Sequence, residues 1–521
     1  MYDLYIINKM EFDNTHFEVN KILNRKTNKK EENISDTYIL ASNKLRELYG
    51  DKTILFLQVG SFYEMYDKYK NKEKKEIMGL TLMEEACNLL DLNLMYKICY
   101  PGAGIKPEYS DKYIEQLTDN NYNVVIAVQS KVIGDVVDER KIKCIYSPGI
   151  PLISANDNKL KNEICRNFIS ISINTSNCLL TDSILLQLGI SIVDIINGKT
   201  YLKQLDNYYD NNIDNLKDQL LLLITTYKPK ELLVIKYSSY DNKYYDDLKD
   251  FLDKYSNNNN ILYYNIESSN KIYSEQIKNS KRKIYIKEVI KKFYKNLSHE
   301  YIDKYMHNYF EQTTGLDLSF ALQCFVFQLE FMSKRNIEFI TLLDEPIILN
   351  NDNLLIGNHS LEQLNINDNN SYTNVLKIIN KCKTNMGRRN FNDLLVNPTT
   401  NINLIQKSLD LTDDFLKEKI NINNEVLYIY EYIRNELTNI LDVQMYSRKI
   451  NANQITPSKL IDVLNCLKNI KNIYKNLKDK ECFINFLENY KINIDFIKII
   501  ENIDDYICNY LDVIIARNID T

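Results

Sequence analysis

The chain has 521 residues, with 65 Lys and Arg against 70 Asp and Glu and a formal net charge of −5. Its 44% hydrophobic content supports a buried core, and at roughly 100–200 residues per domain its length predicts about three domains. Collagen-like, disulfide-rich and wholly disordered classes are excluded, no run of roughly 18 apolar residues could span a membrane, and an acidic total argues against a bulk electrostatic nucleic-acid binder.

Residues 1–35 are polar and charge-balanced, and Lys26 to Asn33 reads as a linker or solvated extension. Met1 to Lys9 lacks the basic n-region of a signal peptide. An amphipathic helix is expected from Asp36 to about Gly50, with Tyr38, Leu40, Leu45 and Leu48 as its apolar positions. Ile54–Val59 reads as a buried strand and Gly60-Ser61 as a turn. Phe62–Asp67 reads as the opening of a helix, with Ser61 as N-cap and Glu64 at the capping-box position. A helix around Tyr113, Leu117 and Tyr122, strands at Val124–Val128 and Ile142–Tyr146, and the closing Ser147-Pro148-Gly149 complete a mixed α/β domain over 36–150.

After a polar connection at 151–163 the pattern changes. Phe168–Ile173 alternates as a strand, Gly189–Ile195 is another, Asn197-Gly198 is a hairpin turn and Thr200–Leu202 starts the return. A helix near 213–227 leads through Lys228-Pro229-Lys230 into the strand Glu231–Ile235, giving a second α/β domain over 164–270 with Asn257–Asn260 as a loop tip. From 271 to 521 the pattern is helical. Residues 271–300 carry nine Lys and Arg against three Glu, the one clear basic block. Leu316–Met332 is apolar nearly all round, as a deeply buried helix is. Amphipathic segments at 403–418, 426–441, 458–479 and 481–513 then read as long helices with almost no glycine.

The candidate chemistry is sparse. The ten cysteines are scattered without a CxxC pair and read as buried thiols of an intracellular, reducing compartment; the four histidines (16, 299, 307 and 359) have no zinc-type spacing. Gly198-Lys199-Thr200 imitates part of a nucleotide-binding loop, but the glycine required five positions earlier is Val193, so the hairpin reading stands and no P-loop is present. Asp194 lies where a strand could offer a carboxylate to two metal ions, yet no pattern groups it with Asp182, Asp206 or Asp210, and it reads as structural. Gly60-Ser61-Phe62-Tyr63-Glu64 carries two readings. One is the helix start above. The other is an exposed aromatic at a turn, able to wedge between bases where pairing is weak and unstacking is least costly, with a Glu two residues on to hydrogen-bond a base edge.

With these residues in view, Gln58-Val59-Gly60-Ser61-Phe62-Tyr63-Glu64-Met65-Tyr66 resembles the Phe-x-Glu segment of the MutS mismatch-repair family, in the form found in its giant-virus and octocoral-mitochondrial subgroup. Tyr100-Pro101-Gly102-Ala103-Gly104-Ile105, Val125–Gln129 and Ser147-Pro148-Gly149 resemble later parts of the same domain. Leu188–Gly198 with Lys228–Leu233 resembles the connector domain, and Thr384-Asn385-Met386-Gly387-Arg388-Arg389 resembles the helical lever. The chain departs from the family at Ile105-Lys106-Pro107-Glu108 and at Asn385, where the family has Ile-Pro-Tyr-His and Pro.

The resemblance implies an α/β plus α chain: a mismatch-reading domain (36–150) after a 1–35 extension, a non-catalytic ribonuclease-H-like connector (164–270), and a lever (271–521) that stops before the clamp and ATPase. It implies mismatched double-stranded DNA as partner, Phe62 as wedge, Glu64 as base hydrogen-bonder, and Gln58 and Ser61 as supporting contacts. The family's ATP and Mg2+ belong to an ATPase domain, so no cofactor, metal site or enzymatic activity is expected of these residues, and dimerisation would need further parts or a second chain. DNA binding is expected to be weak and salt-sensitive. The alternatives are a protein-interaction remnant without DNA binding or a metal-dependent nuclease.

Overall fold

A computed structural model of the chain describes residues 16–24, 32–71, 76–77, 81–96, 100–133, 136–152, 166–177, 184–206, 213–237, 242–255, 260–266, 271–294, 318–335, 343–349, 354, 360–366, 374–422, 425–451, 455–490, 492 and 496–510. His299, His307, His359, Asp182, Asp210, residues 25–31 and the 256–259 loop tip lie outside the described residues. The chain divides into two compact units, one of residues 1–154, 166–220 and 227–349, the other of 155–165, 221–226 and 350–521.

The first unit contains two six-stranded sheets. Its first sheet is built from β1 (Thr53–Val59), β2 (Phe62–Tyr66), β5 (Met95–Tyr96), β6 (Pro101–Ile105), β7 (Asn123–Ile133) and β8 (Val136–Tyr146), in the order β5-β6-β2-β1-β7-β8; β3 (Tyr69–Asn71) and β4 (Glu76–Ile77) form a separate ribbon. Leu55, Phe56, Val124, Val125 and Ala127 make its buried centre. Here the sequence reading is corrected: Phe62–Tyr66 is a strand, antiparallel to β1, and not a helix. Gly60 has φ +59° and is the only one of the two turn residues with a positive φ, the pattern of a II′ hairpin, so the backbone turns back into the sheet before a helix can start. The Ser61–Glu64 spacing imitates a capping box only by coincidence.

A second correction concerns the 1–35 extension. Within it, helix Phe17–Leu23 docks on the edge strand β8. Asn20 Oδ1 accepts from Ile142 N at 3.0 Å and Asn24 Oδ1 from Arg140 N at 2.7 Å, while Asn24 Nδ2 donates to Arg140 O at 2.8 Å. Two asparagines four residues apart on one helix face thus close the open hydrogen-bonding edge of the sheet.

The second sheet comprises β9 (Asn167–Asn177), β10 (Ile184–Asp194), β11 (Thr200–Asp206), β12 (Glu231–Lys236), β13 (Asn260–Asn265) and β14 (Ile347–Ile348), in the order β13-β12-β9-β10-β11-β14. β10 runs antiparallel to both β9 and β11, whereas β12 runs parallel to β9 and to β13, and β14 runs parallel to β11. Gly198, φ +82°, sits in the expected β10–β11 turn. Helix Ser319–Ser333 crosses this sheet against a floor of small residues. Ser191 Oγ donates to Gln328 Oε1 at 2.6 Å, Gln328 Nε2 donates to Phe168 O at 2.9 Å, and a Cβ on Gly189 would lie 2.2 Å from the Phe320 carbonyl oxygen.

That packing moves a boundary. The connector was expected to end at 270, but helix Ser319–Ser333 covers its sheet and β14 extends it, so the unit runs on to Leu349. The two sheets, expected as separate domains, share one buried junction. Arg335 and Glu231, both fully buried, pair at 3.0 Å, and Glu231 Oε2 accepts from Ser147 Oγ at 2.6 Å and Gly149 N at 2.9 Å. The Arg335 guanidinium also lies 4.4 Å from the Phe331 ring and 5.5 Å from the Tyr49 ring.

Among its described residues the second unit is mostly helical, with one hairpin, β15 (Lys419–Ile422) and β16 (Glu425–Tyr428). Helices Ile402–Lys417 and Pro457–Leu477 match the expectation closely. The expected helix at 426–441 is instead β16, helix Ile429–Glu436 and a short 3-10 turn, and 481–513 is divided into Glu481–Asn489 and Phe496–Tyr510. Absence of glycine therefore does not guarantee an unbroken helix. Ile420, Ile429, Tyr432, Leu477 and Cys482 form a core that needs the hairpin and the helices together.

Candidate nucleic-acid interface

In the β1–β2 hairpin the pleat decides what faces where. Phe62, Glu64 and Tyr66 alternate along one side of β2, and burial deepens along them: Phe62 is 41% exposed at the tip, Glu64 is half-buried, and Tyr66 is 3% exposed. Tyr66 is clamped edge-on by Tyr38 at 5.4 Å and Tyr100 at 5.0 Å between ring centroids. Its hydroxyl donates to Glu64 Oε2. Burial, reinforced by that carboxylate, pushes the Tyr66 phenol far above its usual pKa, so it remains a donor.

The neighbouring strand leaves room for this row. Gly102 pairs with Tyr66 and Gly104 with Glu64. A Cβ on Gly102 would stand 3.1 Å from the Tyr66 ring, and one on Gly104 would stand 3.4 Å from Met95 Cε and 3.9 Å from Glu64 Cγ. The glycines of Pro101–Ile105 are thus explained by close approach. Beyond them, Met95, in register with Gly102 on the edge strand β5, is 41% exposed, so the face around Glu64 carries more apolar surface than Phe62 alone.

The four residues singled out from the sequence are brought to one hairpin, in different circumstances. Ser61 is exposed in the turn. Gln58 is tied to β7: its Oε1 accepts from Gln129 N at 3.0 Å, and its carbonyl accepts from Gln129 Nε2 at 3.3 Å. Tyr66, Gly102 and Gly104 were missed as members of the site. Period-two alternation of Phe62, Glu64 and Tyr66 after a Gly-Ser dipeptide was the signal that could have found them.

Elsewhere, Asp194 is 3% exposed and its Oδ1 accepts from Arg166 N at 3.3 Å and Ile196 N at 2.9 Å, a carboxylate committed to holding a turn. Among the described residues no group of three His, Cys, Asp or Glu could hold a metal ion, and no helix is long and apolar enough to cross a membrane. In the second unit, Thr384 Oγ1 caps helix Asn385–Val396 by accepting from Gly387 N at 3.0 Å. Arg389 there grips buried Asp442 through two hydrogen bonds and Gln444 Oε1 at 2.8 Å.

Comparison with known proteins assigns these parts. A family model described as MutS domain I matches residues 43–154, the first sheet with the whole hairpin, and one described as MutS domain III matches residues 359–517, including the Thr384–Arg389 segment. The chain belongs to the MutS family. Over 90% of its length it is 25% identical to a DNA mismatch repair protein MutS homologue of Acanthamoeba polyphaga mimivirus, covering 42% of that protein. It is 23% identical over 88% of its length to the DNA mismatch repair protein MutS of Thermodesulfovibrio yellowstonii, covering 45% of it, and 22% identical over 85% to that of Acetivibrio thermocellus, covering 44%. The chain thus spans less than half the length of these MutS relatives.

Proposed function

We propose that this chain reads mismatched double-stranded DNA through the tip of its β1–β2 hairpin, with Phe62 as an inserted wedge and Glu64 as hydrogen-bond partner of the displaced base. The observation that carries this is the placement of an exposed Phe62 and a half-buried Glu64 on one open face, with the Glu64 carboxylate steered by Tyr66. A rigid aromatic on a sheet is suited to probing which base steps open easily, because the cost of unstacking falls where pairing is already poor. Ser61 adds a hydroxyl at the turn, whereas Gln58 contributes chiefly by tying the hairpin base to β7.

The order of the second sheet supports a ribonuclease-H-like connector, and the engagement of Asp194 in a turn favours a non-catalytic one. The chain acts as a binding element in a reducing intracellular compartment, and ATP, Mg2+ and dimerisation are assigned to parts of the longer relatives outside the matched segments. Fluorescence-anisotropy competition between a G·T duplex and its paired counterpart, without ATP or Mg2+, tests this. The parent should prefer the mismatch, and Phe62→Ala should lose about 1–3 kcal/mol of mismatch affinity, bringing the two duplexes level. Undiminished preference in Phe62→Ala overturns the wedge, and no preference in the parent favours a protein-interaction remnant.

A further inference from the structure

The basic block seen in the sequence is not part of the hairpin interface. Helices Lys271–Asn279 and Lys283–Phe293 meet at a tight corner and turn Tyr273, Ile277, Ile286, Val289, Ile290 and Phe293 inward. What remains outward is mostly cationic: Lys278, Lys281, Arg282 and Lys283 are exposed and Lys287 is half-exposed, beside exposed Glu275 and Glu288. Glu275 and Glu288 are the only acidic residues between 275 and 288, so this stretch carries a net charge of +3 in a chain of −5. Glu288 faces Lys291, at 3.5 Å, rather than the corner. Among the described residues, neither Lys278 nor Arg282 has an ion-pair partner.

The corner is also fastened. Ser280 Oγ and Tyr237 Oη are 2.7 Å apart, and Lys281 Nζ donates to Tyr237 O at 2.8 Å, fixing the turn at the end of β12. Like charges gathered on a fixed corner repel one another, and the arrangement is favourable when an anionic surface meets them. Ile284, 79% exposed, projects from the same turn.

We propose that the Lys278–Lys287 corner is a second, sequence-independent DNA contact that engages the phosphodiester backbone. This rests on the reading that the chain binds duplex DNA. Lysine and arginine on an outer helix corner neutralise phosphates and release counterions, and they carry no base code. The corner therefore supplies affinity, while the hairpin supplies mismatch preference.

The test measures dissociation constants of the full chain for matched and G·T duplexes across a series of KCl concentrations. In the variant Lys278→Gln/Arg282→Gln/Lys283→Gln, the slope of log affinity against log salt should shrink by about 2–3, since each lost phosphate contact removes about 0.9. Both duplexes should weaken by the same factor, leaving the mismatch preference intact. The charge-keeping variant Lys278→Arg/Arg282→Lys/Lys283→Arg should retain the parent slope, which separates loss of charge from loss of fold. An unchanged slope in the glutamine variant overturns the proposal even where mismatch preference persists. A reduced slope in a chain without mismatch preference sustains it while the hairpin reading fails. If polyglutamate binds the parent but not the glutamine variant while the two bind duplex DNA alike, the corner is an acidic-peptide site and the DNA assignment falls.

Discussion

Glu64 shows how one side chain acquires a direction. A carboxylate on a half-open sheet face has several rotamers, and near phosphates it is repelled unless it meets a donor. The Tyr66 hydroxyl, buried between Tyr38 and Tyr100, holds one carboxylate oxygen in place. Tyr66→Phe removes that donor and keeps the ring. It is expected to lower mismatch preference by about 1 kcal/mol, the worth of one hydrogen bond, with little change in melting temperature. Anisotropy titration beside a thermal melt checks it, and unaltered preference would mean that Glu64 needs no positioning by Tyr66. The residue types of this site were legible in the sequence. Their common face was not, because Ser61 and Glu64 also have capping-box spacing and only the pairing of Phe62–Glu64 with β1 rules the helix out.

At the scale of elements, the decisive contact is between helix Ser319–Ser333 and β10. The helix is buried almost all round because small residues let it lie directly on the sheet, closest at Gly189. Gly189→Ala places a methyl against the Phe320 backbone, which cannot swing away as a side chain would. A loss of about 1–3 kcal/mol in urea unfolding is expected, and a shift below a few tenths would show that the helix is free to move. The sequence announced a buried helix through its unbroken apolar run. It could not say which sheet buries it, nor that the compact unit containing that sheet runs on to Leu349. The same blindness affected the segments at 426–441 and 481–513, where amphipathic spacing does not distinguish one long helix from shorter pieces around a shared core.

At the scale of the molecule, the first unit holds its two sheets together through a buried charge pair. Arg335→Met would leave Glu231 buried with hydrogen bonds from Ser147 and Gly149 but without its cation. Breaking such a pair costs about 3–5 kcal/mol, whereas removing both charges with Arg335→Met/Glu231→Gln should recover part of it. Denaturant unfolding of the two variants checks the order, and equal stabilities would place the cohesion of the unit in its apolar contacts alone.

The central strands of both sheets, the principal helices and the residue types of the hairpin followed from the sequence, because period-two alternation, turn dipeptides and motif spacing are local and survive without three-dimensional context. The tertiary structure alone decided that Phe62 and Glu64 lie on a strand, that Asn20 and Asn24 cap a sheet edge, and that the two sheets pack within one compact unit. Each of these depends on hydrogen bonds, ion pairs or close approaches between residues far apart in the chain, and no local pattern records such partners.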